Sequence, residues 1–358
     1  MNAVDDAYVR VADHVSAALV TGSAGFIGSH LVEWLLRSGL YVLGVDSYTD
    51  YYPRWMKEQN IARVLGHEHF ALIEGDLVDL DLAALLRGRS SAYQQLEPSR
   101  GKDHQLDVPS HIDYVFHFAA QPGVRASWGS NFQVYVRNNV LATQRLLEAA
   151  RDASLKKFVY ASSSSVYGDA RTLPTPEDAT PRPVSPYGVT KLAAEHLCQL
   201  YRRSYGLPTV CLRFFTVYGP RQRPDMAFHR FIKAMLRDEE ITVYGDGQQT
   251  RDFAYVDETV HAATLAGVTE HAEGALNIGG GSRVTINEVI EMLECILGKR
   301  ARVRYVESQS GDMHDTAADI TRARKVLGFQ PRTSLAAGLQ AEVQWLAMQV
   351  KHPTGATH

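Results

Sequence analysis

A glycine-rich turn between two short apolar runs constrains the fold of this chain more than any other feature. Residues 16–21 (SAALVT) have the composition of a buried strand, the next turn has glycines at positions 22, 25 and 28, and residues 29–38 have amphipathic helical spacing. A second apolar run at residues 41–45 ends in Asp46. Strand, turn, helix and strand in this order form a βαβ unit, the building block of a parallel sheet.

The same alternation continues along the chain and predicts an α/β fold with a Rossmann-like, doubly wound parallel sheet. Further strands are predicted at residues 70–73, 114–118, 157–160 and 209–213, and less regular ones at 241–244, 275–278 and 302–305. We therefore predict a first domain over residues 16–190, with returning segments at about 208–219 and 251–267. A smaller C-terminal lobe, mainly for substrate binding, is predicted over residues 191–345. Residues 88–111 are polar and lack periodicity, which predicts an exposed insertion.

Composition limits the classes of partner. The chain has 358 residues and a formal net charge of −3. It lacks basic runs, and it lacks an apolar stretch of the ~20 residues that span a bilayer, so we expect neither nucleic acid nor a membrane as a partner. Cys198, Cys211 and Cys295 are far apart and follow no metal-binding spacing. This predicts no disulfide framework, no bound metal and a cytoplasmic location.

The glycine turn has the features of a pyrophosphate-binding site. Its glycines let the backbone approach a phosphate closely, and the helix that follows offers free N–H groups and a favourable dipole. Asp46 is placed to bind ribose hydroxyls and to repel a 2′-phosphate, so NAD is favoured over NADP. Asp76 follows the third predicted strand, where a carboxylate can meet the adenine amino group. Both acids remain open to a plainer interpretation as turn or capping residues.

Tyr187 and Lys191 are four residues apart and are predicted to share one face of a helix. A lysine cation, together with a positive nicotinamide ring, would lower the pKa of Tyr187 toward neutrality and make the phenol a usable general base. Such pairs are common by chance at surfaces, and it is the position of this pair in the chain that favours a catalytic role. The pair follows a predicted strand that ends in four serines at residues 162–165, of which we expect Ser163 to share the substrate proton with Tyr187.

Six segments together resemble the NAD-dependent epimerase/dehydratase family of extended short-chain dehydrogenases/reductases. They are TGSAGFIGSH at residues 21–30, HFAAQ at 117–121, SSSSVYG at 162–168, SPYGVTK at 185–191, RFFTVYGP at 213–220 and RDF at 251–253. The resemblance covers residues 18–345. Within the family, GVRAS at 123–127 and RFFTVYGPRQRPDM at 213–226 are most similar to the UDP-glucuronate 4-epimerases.

The resemblance implies bound NAD, a UDP-sugar substrate and epimerisation through transient oxidation at C4 of the sugar. It implies the catalytic set Ser163, Tyr187 and Lys191. Together with the residues argued above, the predicted NAD contacts are Gly22, Ala24, Gly25, Phe26, Ile27, Gly28, Asp46, Asp76, Leu77, Phe118, Ala119, Ala120, Asn138, Ser162, Tyr187, Lys191 and Phe215. The predicted substrate contacts are Gln121, Val124, Arg125, Ser127, Ser163, Ser164, Ser165, Thr216, Arg223, Tyr244, Arg251 and Asp312. A homodimer through helices near residues 139–151 and 187–205 is also implied.

Related activities stay open at this point. The chain could be a UDP-glucose or UDP-N-acetylglucosamine 4-epimerase, or a UDP-glucuronate decarboxylase that forms UDP-xylose. A non-catalytic dinucleotide sensor on the same fold is a more distant alternative. Galactose-type epimerases tend to carry asparagine at the position of Thr216. A 4,6-dehydratase needs an Asp-Glu acid/base pair where this chain has Ser164 and Ser165.

Overall fold

The computed structural model of the protein describes residues 16–88, 109–307, 311 and 313–351. Most of the predicted insertion at 88–111 and the predicted substrate residue Asp312 lie outside the described residues. Within these ranges, no helix combines the length and the apolar character needed to cross a bilayer.

A parallel sheet of seven strands forms the centre of the described chain and confirms the predicted Rossmann-like α/β fold. The strands are β1 (Ala17–Thr21), β2 (Tyr41–Asp46), β3 (Phe70–Glu74), β4 (Tyr114–His117), β5 (Lys157–Ser163), β6 (Thr209–Phe214) and β10 (Gly274–Ile278). They lie in the order β3-β2-β1-β4-β5-β6-β10. Because both faces of the sheet are buried, most of these strands are nearly continuous apolar runs.

Helices cover both faces of this sheet. They are α1 (Phe26–Arg37), α2 (Arg54–Ile61), α3 (Leu82–Leu86), α4 (Phe132–Tyr135), α5 (Ala142–Arg151), α6 (Pro186–Tyr205), α8 (Val256–Val268) and α10 (Thr321–Leu327). A π-helical turn, Val136–Leu141, joins α4 to α5, and 3₁₀ turns occupy Arg125–Ser127, Gly129–Asn131 and Ser164–Val166. Successive residues of β1, Leu19 and Val20, belong to different apolar clusters, because side chains alternate between the two faces of a strand.

A second group of elements faces the carboxyl ends of the large sheet. Strands β7 (Thr216–Tyr218), β9 (Thr250–Tyr255) and β11 (Arg283–Thr285) form a small sheet, and β8 (Glu240–Tyr244) pairs with β12 (Arg302–Val306). These strands pack with helices α7 (Ala227–Leu236), α9 (Ile286–Leu297) and α11 (Leu335–Lys351). They share a third apolar cluster, which includes Phe228 and Leu293.

Three segments join a different part of the fold from the one predicted. Strand β10, expected in the smaller lobe, completes the large sheet beside β6, since a short apolar run carries no signal about which sheet it joins. Strands β7 and β9, expected in the returning segments, lie in the three-stranded sheet, whereas α8 packs against α1. The predicted boundary at residues 190/191 falls inside α6, which packs along β5 and β6 as one helix.

Candidate active site

A cleft of about 730 Å³ opens where the carboxyl ends of β1, β4 and β5 face the smaller sheets. Ligands of doubly wound folds bind at this edge of the sheet. The predicted residues that line the cleft are Gly22, Gly25, Phe26, Ile27, Gly28, Asp46, Asp76, Leu77, Phe118, Ala119, Ala120, Val124, Arg125, Asn138, Ser162, Ser163, Ser164, Ser165, Tyr187, Lys191, Phe215, Thr216, Arg223, Tyr244 and Arg251. Three other predicted contacts, Ala24, Gln121 and Ser127, are buried and do not line the cleft.

The turn between β1 and α1 has no space for a side chain at Gly22 or Gly28. A Cβ at Gly28 would lie 2.0 Å from the Gly22 carbonyl oxygen, so the helix can start this close to the turn only with glycine there. The first turn of α1 contains no acidic side chain. Its N–H groups and the helix dipole therefore favour an anion, and the residues present fit the pyrophosphate of a dinucleotide.

Asp46 fixes the neighbouring loop as well as lining the cleft. Its Oδ2 accepts a hydrogen bond from the Ala24 N–H at 3.1 Å, and its Oδ1 accepts one from the Tyr48 N–H at 2.9 Å. The Lys57 ammonium lies 3.8 Å from Oδ1. A carboxylate oxygen accepts more than one hydrogen bond, so this arrangement is compatible with a role toward ribose hydroxyls.

Asp76 is also partly engaged by the protein. Its Oδ1 accepts from the Val78 N–H at 2.9 Å, and its Oδ2 accepts from the Arg137 guanidinium at 3.1 Å. The plainer interpretation of Asp76 as a turn residue therefore holds alongside its place on the cleft wall.

A buried hydrogen-bond network that we did not predict from the sequence starts at the end of β1. His117 lies between two hydroxyls, with Nδ1 2.8 Å from Thr21 Oγ1 and Nε2 2.9 Å from Thr143 Oγ1. Because Thr143 donates its own proton to the Asn139 carbonyl oxygen at 2.7 Å, His117 must donate from Nε2 and accept at Nδ1. Burial, reinforced by the charge of Lys191, lowers the pKa of His117 to about 3 and keeps the ring neutral.

Asn139 continues this network to the predicted catalytic helix. Its side chain accepts from the Gln121 N–H at 2.7 Å and donates to the Gln121 carbonyl oxygen at 3.1 Å. It also donates to the Thr190 hydroxyl at 3.0 Å, and Thr190 donates to the Tyr187 carbonyl oxygen at 2.8 Å. The network thus fixes the loop after β4 relative to the helix turn that carries Tyr187.

Tyr187 and Lys191 occupy the first turns of α6 and face the cleft. The helix starts sharply, because Ser185 accepts from the Gly188 N–H at 3.1 Å and Pro186 occupies the first turn. The Lys191 ammonium donates to the Ala161 carbonyl oxygen at 2.8 Å and lies 6.0 Å from the centre of the Tyr187 ring. The sequence-predicted pair is therefore on one face of one helix.

The protonation of this pair differs from the expectation that Lys191 lowers the Tyr187 pKa. Burial raises the pKa of Tyr187, and the opposing influences come from a hydrogen bond with Ser163 and from the charge of Arg223. Burial also lowers the pKa of Lys191 to about 7. Desolvation dominates both groups, so the lysine cation that was expected to stabilise the phenolate is itself destabilised.

The four serines at the end of β5 have different partners. Ser162 lines the cleft, but its hydroxyl donates to the buried Glu195 carboxylate at 2.5 Å. Ser163 accepts from the Ser165 N–H at 3.1 Å, which turns the chain into the 3₁₀ helix. Ser164 and Ser165 are largely buried on the cleft wall.

Arginines also line the cleft. Arg125 stacks 4.0 Å from the centre of the Tyr244 ring, and Arg230, which was not predicted, lies 5.8 Å from the same ring. Arg251 donates to the His314 carbonyl oxygen at 2.9 Å. The cluster supplies cations for an anionic ligand.

Arg223 lines the same cleft as Tyr187, and its charge acts to lower the Tyr187 pKa. Its guanidinium makes two hydrogen bonds to the Asp225 carboxylate, each of 3.0 Å. Tyr51 donates to the same carboxylate at 3.2 Å. Neither Asp225 nor Tyr51 was predicted, although Asp225 stands within the 213–226 run that carried the resemblance.

Comparison with known sequences gives matches over nearly the whole chain. The profile of the NAD dependent epimerase/dehydratase family matches residues 100–279, and the profile of GDP-mannose 4,6 dehydratase matches residues 19–89. The chain is 38% identical over 329 residues to a UDP-glucuronate 4-epimerase of Thermodesulfobacterium geofontis. This alignment covers 91% of this chain and 95% of that protein. The chain is 43% identical over 331 residues to an uncharacterized UDP-glucose epimerase of Bacillus subtilis, with coverage of 92% and 97%.

A solved structure has the same architecture. The UDP-glucuronic acid 4-epimerase from Bacillus cereus, in complex with UDP-glucuronic acid and NAD, aligns with a TM-score of 0.84 at 44% identity. The alignment covers 93% of this chain and 99% of that one.

Proposed function

Because this chain belongs to the NAD-dependent epimerase/dehydratase family, we propose that it is a UDP-glucuronate 4-epimerase, which interconverts UDP-glucuronate and UDP-galacturonate. The observation that carries the proposal is that Arg223, Tyr187 and the glycine turn line one cleft. A cation in the same cleft as the reacting phenol suits a sugar with a carboxylate at C6. The relatives from Thermodesulfobacterium geofontis and Bacillus cereus support the same substrate.

NAD is the cofactor that this cleft fits. The glycine turn would hold its pyrophosphate, Asp46 its adenosine ribose, and Phe118, Ala119 and Phe215 the remaining surface. NAD, when bound, accepts hydride from C4 of the sugar and returns it to the opposite face, so it is recycled rather than consumed. We assign NAD binding to the large sheet with its helices. We assign substrate binding mainly to the smaller sheets with α7, α9 and α11.

Tyr187 moves the proton at O4 of the sugar. It removes that proton as C4 is oxidised to the ketone, and returns it to O4 after the sugar has turned over in the cleft. Ser163 shares the same proton by hydrogen bonding to O4. Lys191 lies behind the phenol, where its ammonium favours the phenolate whenever it is protonated.

The uronate carboxylate would be held by neutral donors and one cation. Ser164, Ser165 and Thr216 supply hydroxyl or backbone donors, and Arg223 supplies charge. Holding the carboxylate also matters because the 4-keto intermediate is a β-keto acid that can lose CO₂. A fixed carboxylate keeps the bond to be broken out of the alignment that favours decarboxylation.

Incubation of the protein and NAD with a panel of UDP-sugars tests the proposal, with products separated by chromatography and dissolved CO₂ measured. UDP-galacturonate formed from UDP-glucuronate without CO₂ is the expected result. Tyr187→Phe should abolish this turnover and retain NAD, whereas Tyr205→Phe, at an exposed position on the same helix, should change neither.

Each alternative predicts a different outcome in the same panel. Turnover of UDP-glucose or UDP-N-acetylglucosamine alone would establish a neutral-sugar 4-epimerase, the activity named for the Bacillus subtilis relative. Release of CO₂ with UDP-xylose would establish a decarboxylase. NAD binding with no turnover of any sugar would leave a dinucleotide sensor.

We also propose that the protein acts as a homodimer in the cytoplasm. Exposed apolar side chains on the π-helical turn and on α6, which pack together, support an interface there: Val136, Leu141, Val189 and Leu200. Light scattering should give twice the chain mass, and Leu141→Lys with Leu200→Lys should give the monomer. The free thiols of Cys198, Cys211 and Cys295 support a reducing compartment.

A further inference from the structure

Arg223 is held in place by a carboxylate on its own loop. Its Nε donates to one oxygen of Asp225 and its terminal nitrogen donates to the other, both at 3.0 Å. Burial acts to raise the pKa of Asp225, but the charge and hydrogen bonds of Arg223 outweigh it and lower that pKa. Asp225 is therefore a carboxylate at neutral pH. A guanidinium has five N–H donors, so this paired contact leaves others for an anionic ligand.

The other side of the cleft secures this carboxylate. Tyr51 follows β2 in the part of the fold that holds the glycine turn, and its hydroxyl donates to Asp225 Oδ2 at 3.2 Å. The Arg223 guanidinium also lies 5.8 Å from the centre of the Tyr51 ring. Tyr51 is closely packed, because a Cβ at Gly123 would lie 2.4 Å from its hydroxyl oxygen. Burial and the nearby Asp225 raise the pKa of Tyr51 to about 12, so it stays a donor.

The held guanidinium acts on the reacting phenol. Arg223 lowers the pKa of Tyr187, against the burial that raises it. Among the residues that the structure describes, the charged or titratable groups that face Tyr187 are Lys191 on its own helix, Tyr160 on β5, Tyr135 on α4, and Arg223. Of these, Arg223 is the group whose position depends on a contact between the two sides of the cleft.

We propose that Asp225 and Tyr51 are positioning residues that fix the Arg223 guanidinium in the cleft that Tyr187 also lines, so that Arg223 serves the reacting phenol as well as the anionic sugar. The proposal rests on the proposed function for its substrate. It makes the reactivity of Tyr187 depend on two residues that need touch neither substrate nor NAD.

Removal of Asp225 should therefore behave like removal of Arg223. In Asp225→Asn the guanidinium loses its paired partner and moves away, the Tyr187 pKa rises, and the acid limb of the kcat profile moves to higher pH. Arg223→Met should move the acid limb of the kcat profile in the same direction. Tyr51→Phe removes only the hydroxyl and should give a smaller shift of the same sign. We expect kcat in Asp225→Asn to fall about ten- to a hundredfold, the scale on which misplaced groups affect rate.

A double-mutant cycle on the NAD-loaded, full-length protein tests this. The pH dependence of kcat and KM is measured for Asp225→Asn, Arg223→Met and both together. The ionisation of Tyr187 is followed separately by ultraviolet absorbance, as the difference between each variant and the same variant with Tyr187→Phe. If Asp225 acts through Arg223, the double variant should be no worse than Arg223→Met alone, in rate and in Tyr187 pKa.

Two results would overturn the proposal. Additive losses in the cycle would mean that Asp225 acts independently of Arg223. A Tyr187 pKa that falls in Asp225→Asn would mean that Arg223 stays in place and that Asp225 merely offsets its charge.

Matched controls separate positioning from folding. Asp238→Asn and Tyr305→Phe make the same chemical changes at exposed side chains and should leave the profile unchanged. If Asp225→Asn fails to fold, Tyr51→Phe provides the test instead. A pH dependence of kcat in Tyr51→Phe that is unchanged from wild type would contradict the proposal. The absorbance titration needs no turnover, so it still tests the positioning role if UDP-glucuronate proves not to be a substrate.

Discussion

The Asn139 side-chain amide donates a 3.0 Å hydrogen bond to the Thr190 hydroxyl, and this contact joins the loop after β4 to the helix turn that carries Tyr187. The Thr190 hydroxyl in turn donates a hydrogen bond to the Tyr187 carbonyl oxygen. The two residues are buried and lie on different helical segments. The position of the phenol is therefore tied to the wall of the cofactor cleft.

Thr190→Val should lower kcat by about tenfold and change KM little, because the first turn of α6 loses its connection to Asn139. Thr264→Val is a matched control, since Thr264 is a buried helical threonine that donates to the Val260 carbonyl oxygen and does not line the cleft. Both changes should cost about 1 kcal/mol of stability. Steady-state kinetics and thermal unfolding of the two variants provide the check. Equal kcat in both would show that Thr190 is merely structural.

Lys191→Met should raise the melting temperature most below pH 7. Burial lowers the pKa of Lys191 from 10.5 to about 7, so the folded protein binds fewer protons than the unfolded chain between these values. The free energy of unfolding of the wild type therefore rises by roughly 3 to 5 kcal/mol as the pH increases through this range. Below the range, the wild type carries the full cost of burying a charged Lys191. The melting-temperature advantage of Lys191→Met over wild type should shrink from pH 6.5 to pH 10. A melting-temperature advantage of Lys191→Met that does not change with pH would contradict the claim that burial lowers the pKa of Lys191.

Arg223→Met should reduce kcat/KM for UDP-glucuronate by about a hundredfold, because the variant loses both a charged hydrogen-bond donor and its effect on Tyr187. A neutral UDP-sugar, where it turns over at all, should lose less, since only the effect on Tyr187 is removed. Arg230→Met is the matched control: it removes a cleft cation beside Tyr244 and should weaken both sugars alike. A ratio of the two kcat/KM values unchanged from wild type in Arg223→Met would place Arg223 at the nucleotide instead.

Contiguous motifs predicted much of the fold and of the site. The turn at residues 22–28 and the Tyr187–Lys191 spacing depend on local backbone geometry, which neighbouring residues determine. The contact between Tyr51 and Asp225 spans 174 positions and forms only once the two sides of the cleft are packed, so no local pattern could indicate it.

The pKa values of the site residues could not be predicted from the sequence for a related reason. The pKa of Tyr187 is governed by burial, and burial depends on which elements cover the residue. His117 and Asn139 did leave a faint signal, as polar residues at apolar positions of a strand and a helical turn. Their partners could not be named without the packing.

The central claim is that one phenol and one dinucleotide invert C4 of a UDP-uronate without net oxidation. UDP-glucuronate labelled with deuterium at C4 tests it directly, with the product analysed by mass spectrometry and proton NMR. We predict UDP-galacturonate that retains the deuterium at C4 and takes up none of the solvent hydrogen there. A product that has exchanged this deuterium with water, or unchanged UDP-glucuronate from an NAD-loaded sample, would contradict the account.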